Sequence, residues 1–506
     1  MIVSIIDYLK KNVENCPSKI AIEDEKYGKF TFGDLDIYAK RIASLIIHKN
    51  AEDRKPIVVL MDKSAISIAV FWGIVYAGHA YVPLDAAMPE ERMKKILREI
   101  EPAIIFADEK WYEKAVSIKK GDVICIDNQL LDREIDEVAI HEKLSNLVDV
   151  DPLYIMYTSG STGNPKGVLI SHRSVIDFVE EASETMGFSE KEIFLNQAPF
   201  YFDASVPDIY CMLRNAATLH IIGSSTASNP LKILRYMESK QINAIFWVPS
   251  HLISIANSRC LEKVSLKCLK KVMFCGEVMP VRQLNVWMRF VPDAKYVNYY
   301  GPTETTYACT YYVVNRTFLE SETLPIGKPC KNTSLLVLSE NGNVVAKGEV
   351  GELYVKGSCL AMGYFSNDLA TREKFVQNPF SPNYRNIIYK TGDLVKYNQF
   401  GELEYVSRKD FQIKYHGYRI ELGEIETAIS SIEGIRRNCC IFDETLDAIV
   451  AFYEAEQDIM LEEILIGKLQ SYMIPKRYFR LSNMPLNQNE KIDRSTLRKY
   501  LREYKK

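Results

Sequence analysis

Residues 157–168 read YTSGSTGNPKGV, and the reading of the fold starts there. The apolar run Leu153-Tyr154-Ile155-Met156 leads into this stretch and Val168-Leu169-Ile170 leads out of it, so a strand runs into a loop and a second strand leaves it. Glycines let backbone amides approach an anion, the neighbouring hydroxyls add donors, and Lys166 carries a positive charge on a flexible stem. The combination suits a polyphosphate. Its spacing, GxxGxPKG, differs from a Walker A loop, which needs GxxxxGK followed by Ser or Thr. A plain surface loop would also be rich in Gly and Ser; Pro165-Lys166-Gly167 between two apolar strands favours the phosphate loop.

At 506 residues the chain is too long for a single core and is expected to divide into two or more domains. Its net charge of −3 comes from interspersed acidic and basic residues, which points to neither nucleic acid nor an anionic membrane surface. The 11 cysteines lack CxxC pairs and His-rich companions, a pattern that suits free thiols in a reducing cytoplasm. The amino-terminal MIVSIIDYLKKNVE has no basic leader or small-residue cleavage site, and Ile2, Ile5, Ile6 and Leu9 are spaced as on an amphipathic helix. The apolar run from Ala65 to Leu84 is long enough to cross a membrane but is broken by Gly73, Gly78, His79 and Pro83. It reads instead as a buried helix over 64–76 followed by a short strand over 80–82.

Residues 1 to about 150 alternate β-type runs (57–60, 104–106, 123–126) with helix-length segments, the pattern of layered α/β structure with largely parallel sheet. A helix is expected over 174–186, and buried strands over 244–248 and 271–277. From about 324 to 406 short strands with Gly turns indicate a β-rich subdomain, and the last hundred residues, past a charged junction at 407–410, read as a small α+β domain.

Four positions stand out chemically. Asp203, between aromatic and small residues, can pair with a substrate cation or cap the helix that follows it. Glu304 follows a Gly301-Pro302-Thr303 turn; that carboxylate suits Mg²⁺ beside phosphate, or is simply solvated. Asp393 follows a Thr391-Gly392 turn and is placed to accept from two sugar hydroxyls. Lys491 is presented by a polar loop, where most lysines are ordinary surface charges.

In this order and at these separations the segments YTSGSTGNPKGV, YFDAS, NYYGPTE, GELYVKG, YKTGDL, SRKDFQIKYHGYRIELGEIE and MPLNQNEKID resemble the adenylate-forming superfamily of acyl-CoA synthetases, luciferases and nonribosomal peptide synthetase adenylation domains. The resemblance covers nearly the whole chain. The runs FLNQAPFYFDASVPDIY and MFCGEVMP are particularly similar to the D-alanyl carrier protein ligases. The implied fold is α/β: a large adenylation core over 1–408, of layered α/β subdomains plus a β-rich subdomain, and a small mobile α+β domain over 409–506. The implied reaction is ATP- and Mg²⁺-dependent adenylation of an amino acid, followed by transfer to a phosphopantetheine thiol on a separate carrier protein.

The resemblance also implies residue roles. Thr158, Ser159, Gly160, Ser161, Thr162, Gly163 and Lys166 would hold ATP phosphates, Glu304 the Mg²⁺, and Tyr300, Gly301, Asp393 and Arg408 the adenosine. Asp203 would pair with the α-ammonium and Lys491 would bridge carboxylate and phosphate as the catalytic residue. The side-chain pocket would be walled by Ala204, Pro207, Met273, Cys275, Tyr299, Tyr307 and Ala308, with Phe246 beside them. Bulk in that wall favours a small amino acid, D-alanine first. Asp410 would be the hinge about which the small domain rotates to present the segment around Gly417. The alternatives are a freestanding adenylation enzyme for another amino acid and a CoA ligase for a small acid. Two positions depart from the usual pattern, Glu490 before the lysine and Ser407 at the hinge segment, where glycine is customary.

Overall fold

The computed structural model describes the chain apart from residues 1, 53, 119–121, 128–132, 161–163, 411, 487–491 and 505–506. It divides into two compact units. The larger comprises Met1–Ala86, Ile100–Tyr157 and Gly167–Lys409; the smaller comprises Ala87–Glu99, Thr158–Lys166 and Asp410–Lys506.

Two sheets dominate the larger unit. The nine-stranded sheet runs in the order Lys328–Pro329, Thr310–Val313, Lys295–Tyr300, Lys271–Phe274, Ala244–Trp247, Ile193–Asn196, Thr218–Ile221, Ile20–Asp24 and Gly28–Thr31. Its inner pairs are parallel and both edges are closed by antiparallel strands. The seven-stranded sheet has Pro152–Thr158 and Lys166–Ser171 as neighbours, with Tyr81–Pro83, Ile57–Leu60, Ile105–Ala107 and Val123–Cys125 following in parallel. Helices pack on these sheets through buried apolar residues, and short polar caps set where they start. Thr31 and Ser64 close capping boxes ahead of Phe32–His48 and Ala65–Tyr76. Ser171 caps His172–Met186, which therefore begins two residues earlier than periodicity alone predicts, and Gly187 at φ 62° ends it. The helix Ala65–Tyr76 is buried along its whole length, which explains its membrane-like composition. Among the described residues no helix is long and apolar enough to cross a membrane.

The β-rich region is a five-stranded antiparallel sheet built on Thr333–Leu338, Gly351–Gly357, Ile387–Tyr397, Phe375–Gln377 and Leu403–Arg408. Here one expectation is corrected. Thr391-Gly392 is not a turn between strands but an irregularity inside the single strand Ile387–Tyr397, where the register against Gly351–Gly357 shifts. Gly392 at φ 77° lets the backbone bulge while pairing resumes on both sides.

In the smaller unit a hairpin, Gln412–Tyr415 with Tyr418–Glu421, leads into the helix Leu422–Ser430 and a three-stranded sheet of Arg437–Asp443, Ala448–Glu454 and Arg477–Leu481. The adjacent Cys439 and Cys440 fall on opposite faces of that sheet and enter separate cores. All 11 cysteines are free thiols.

Candidate functional site

Open parallel sheets place their ligands at the carboxyl ends of the strands. In the nine-stranded sheet the chemistry-bearing residues collect there. Asn196 ends one strand, Cys275 follows the end of Lys271–Phe274, and Tyr299 and Tyr300 end Lys295–Tyr300. Strand alternation then sorts the faces. Phe246, Met273, Cys275, Val297 and Tyr299 share one core with Tyr307 and Ala308, while Ile245, Trp247, Val272, Phe274 and Tyr296 belong to the core on the other face. Met273, Cys275, Tyr299, Tyr307 and Ala308, expected to wall a side-chain pocket, thus share one core with Phe246, although no motif places Phe246 there.

That wall is interlocked aromatic surface. Tyr299 packs against Phe178, Phe246, Tyr307 and Tyr311, with ring centroids 6.1–6.5 Å apart, and Phe178 meets Tyr307 edge-on at 5.3 Å. Tyr299 is 1% exposed and its hydroxyl has no hydrogen-bond partner among the described residues; burial pushes its proton affinity well up. Thr306 and Tyr307 both sit in the left-handed region, at φ 54° and 72°, which is costly for residues with a Cβ. Hydrogen bonds hold them: Thr306 N donates to the Thr303 carbonyl at 3.1 Å, Thr306 Oγ1 to the Cys359 carbonyl at 2.8 Å, Ala308 N to the Thr306 carbonyl at 2.9 Å, and the Cys275 thiol to the Tyr307 carbonyl at 3.6 Å. Gly301 lies beneath this turn. A Cβ there would come within 2.6 Å of Ala308 Cα and 2.7 Å of the Tyr307 carbonyl, so only glycine fits.

Asp203 opens a short 3₁₀ turn, Asp203–Ser205, that runs into the helix Val206–Arg214. It does not cap that helix. Ser205 occupies the cap position without a side-chain bond, and Asp203 Oδ2 instead accepts from the Thr303 hydroxyl at 2.6 Å. Ala204 and Pro207 follow on the same segment, Pro207 in the first helical turn where its missing N–H costs nothing. Next to Thr303, Glu304 is 1% exposed and accepts from the Tyr364 hydroxyl at 2.7 Å. The reading of Glu304 as a solvated turn residue is therefore excluded. A single buried carboxylate among hydroxyls is a donor set that fits Mg²⁺ held largely by substrate phosphates.

Asp393, Arg408 and Tyr300 meet directly. Asp393 and Arg408 are cross-strand partners, and the guanidinium donates to Asp393 Oδ1 at 2.8 Å and to the Thr391 carbonyl at 3.0 Å. The Tyr300 hydroxyl donates to Asp393 Oδ2 at 2.5 Å, and burial followed by the nearby carboxylate holds that phenol protonated. Thr391 Oγ1 accepts from the Asp393 amide at 3.0 Å and donates to the Leu353 carbonyl at 2.7 Å, which fixes the bulge. Each carboxylate oxygen keeps a second lone pair for a sugar hydroxyl.

In the smaller unit, the Ser159 hydroxyl donates to the Arg419 carbonyl at 2.7 Å and accepts from the Glu421 amide at 3.2 Å. A Cβ on Gly160 would collide with the Asn164 carbonyl, so the loop closes on its own backbone. The division between units falls between Lys409 and Asp410, whose carboxylate accepts from the Gln412 amide at 3.3 Å. Ser161, Thr162, Gly163, Glu490 and Lys491 lie outside the described residues. Thr303, Tyr364 and Thr391 were not legible as site residues. Thr303 stands beside Glu304 in a quoted motif, whereas nothing local marks Tyr364, which bonds Glu304 across 60 positions of sequence.

An open, largely parallel sheet with polar side chains gathered at its strand ends is the architecture of an α/β enzyme. The sequence profile of AMP-binding enzymes matches residues 9–365, and the chain belongs to that family. D-alanine--D-alanyl carrier protein ligase of Bacillus licheniformis is 31% identical over 98% of this chain and 99% of its own length. Bacitracin synthase 1 of the same species is 34% identical over 93% of this chain, which spans only 9% of that protein. The adenylation domain AlmE of Vibrio cholerae, solved with glycyl-adenosine-5'-phosphate, superposes with a TM-score of 0.86 at 21% identity, over 99% of this chain and 98% of its own, and shares the fold.

Proposed function

We propose that this enzyme activates a small amino acid, with D-alanine favoured, by ATP-dependent adenylation and passes it to the phosphopantetheine thiol of a separate carrier protein. The supporting observation is Asp203. It is a carboxylate that accepts from the Thr303 hydroxyl, on the segment that continues into Ala204 and Pro207, in the same unit as the bulky rings of Phe246, Tyr299 and Tyr307, whose size favours a small substrate. The wholesale likeness to a D-alanine carrier protein ligase over 98% of the chain points the same way. A CoA ligase for an unaminated acid would leave the ammonium-pairing role of Asp203 unused.

In the first step the amino-acid carboxylate attacks the α-phosphorus of ATP; the bond to pyrophosphate breaks and an aminoacyl adenylate forms. Asp203 orients the ammonium, and Asp393 with Arg408 takes the ribose hydroxyls. Lys491 offsets the charge that develops between carboxylate and phosphate, a contact whose loss typically costs about 10²-fold or more in rate. Mg²⁺ carried near Glu304 supplies charge neutralisation of the phosphates when bound. In the second step the carrier thiol displaces AMP after the small unit turns at Asp410. Asp410→Pro is expected to spare adenylation and slow thioester formation. A reducing cytoplasm suits the free thiols.

The test is ATP–pyrophosphate exchange across D-alanine, the proteinogenic amino acids, β-alanine and simple carboxylic acids, with Lys491→Ala as the control. A dominant D-alanine signal supports the full reading. Strong exchange with another small amino acid keeps the mechanism and replaces the substrate, whereas exchange only with unaminated acids overturns the role of Asp203. A bulky amino acid as best substrate would overturn the small pocket.

A further inference from the structure

We propose that Lys63, which lies on no recognised motif, is the positioning residue for Asp203, holding at both ends the segment that presents this carboxylate. This inference rests on the reading of Asp203 as the partner of the substrate ammonium.

Lys63 stands between the strand Ile57–Leu60 and the cap residue Ser64, and it reaches across to the nine-stranded sheet. Its ammonium donates to the Gln197 carbonyl at 2.9 Å, to Asn196 Oδ1 at 3.1 Å and to the Asn196 carbonyl at 3.4 Å. A lysine can only donate, so the Asn196 amide must present its oxygen to Lys63 and its nitrogen elsewhere. That nitrogen donates to Asp208 Oδ2 at 2.9 Å. Asn196 and Asp208 are both fully buried, and Asp208 Oδ1 has no hydrogen-bond partner among the described residues. The chain of bonds therefore runs from Lys63 through Asn196 to the first turn of Val206–Arg214.

Those two anchor points bracket Asp203. Gln197 begins the connection that leaves the strand Ile193–Asn196, and Asp208 follows Asp203 by just over one helical turn. Within the connection, the Phe202 amide donates to the Pro199 carbonyl at 3.2 Å, and Ser205 returns its amide and its hydroxyl to the Phe202 carbonyl at 3.0 and 2.7 Å. The connection is thus a compact arch, tied to Lys63 directly at its start and through Asn196 at its far end.

The groups facing Lys63 fit this role. Asp208, Asp24 and Glu25 supply the negative charge, while burial outweighs them and pushes the ammonium down to about 8. His251, edge-on to Trp247 at 4.7 Å, is kept neutral, its affinity for a proton lowered to about 4 by burial and then by the Lys63 charge. Burial raises the Asp208 carboxyl, while the Asn196 hydrogen bond and the Lys63 charge act against it in favour of the ionised form. A buried cation gives little net stability and is often replaceable by an apolar side chain of similar length. Its hold on two backbone carbonyls ahead of Asp203 is what such a replacement would lose.

The test is pyrophosphate exchange with the best amino acid, comparing wild type, Lys63→Met and Lys63→Arg in the full chain. Lys63→Met is expected to raise the amino-acid KM about tenfold or more while the ATP KM changes less than about twofold; Lys63→Arg should recover part of the loss. A second readout needs no variant that folds differently. In wild type, kcat/KM for the amino acid should fall as pH rises through about 8, with kcat/KM for ATP flat. The substrate's own ammonium titrates identically in every enzyme, so the limb that disappears in Lys63→Met belongs to Lys63. Exchange that depends on an amino acid but shows unchanged KM, parallel rises in both KM values or no limb near 8 overturns this inference alone. Absence of amino-acid-dependent exchange in wild type overturns the functional reading and this inference with it.

Discussion

The Asp393 corner and the aromatic wall lie in the same unit and are equally buried, yet they are held by different forces. At the corner both carboxylate oxygens of Asp393 are engaged, by Arg408 and by Tyr300, and Thr391 secures the backbone beneath. In the wall Tyr299 sits among four rings with an unpartnered hydroxyl. The first region is ordered by directional bonds and breaks when one partner is lost. The second is ordered by shape, and tolerates loss of a polar atom better than loss of volume.

The sharpest way to break this contrast is Asp393→Ala, which leaves Arg408 and Tyr300 facing each other without the carboxylate. Stripping one member of a buried charge pair costs about 3–5 kcal/mol, to be measured by urea unfolding. A loss under about 1 kcal/mol would show that the corner is not held as described.

His172 extends the comparison to a buried group that titrates. Its Nδ1 lies 3.3 Å from the Ile5 amide, its Nε2 has no partner among the described residues, and burial lowers its pKa from 6.5 to about 4. The unfolded chain therefore binds the proton first. Stability should fall as pH drops from about 6.5 towards 4 and level off below, by roughly 3 kcal/mol in all. His172→Gln should flatten this limb, measured as the midpoint of urea unfolding against pH.

Tyr364→Phe removes the donor to buried Glu304 and is expected to cost about 1.5–3 kcal/mol, the range for bonds to charged groups. Tyr299→Phe should be smallest, within about 0.5 kcal/mol or stabilising, because the lost hydroxyl bonds nothing among the described residues. If Tyr299→Phe proved the costlier of the two, the distinction between the regions would fail.

Much of this was legible because local signals are strong where the chain turns. Ser64, Thr31 and Gly187 mark helix ends through their own chemistry, and alternation sorts the two faces within each strand; that Phe246, Met273 and Tyr299 share one face follows only from the register between strands. Thr391-Gly392 misled because a left-handed glycine serves a turn and a bulge equally, and only pairing on both sides separates them. Asp203 offered two roles, and the choice required Thr303, 100 positions away in sequence.

The layered α/β pattern and the residue types able to handle phosphate, sugar and an ammonium can be read from short windows, because periodicity and side-chain chemistry are local, and the family from the resemblance of ordered motifs. The partner of each buried polar group emerges only in the folded chain. Tyr364 bonds Glu304, Tyr300 and Arg408 share Asp393, and Lys63 reaches Asp208 through Asn196. The physical reason is that a hydrogen bond is set by distances within about 3 Å between atoms from remote elements. No spacing along the chain encodes that proximity.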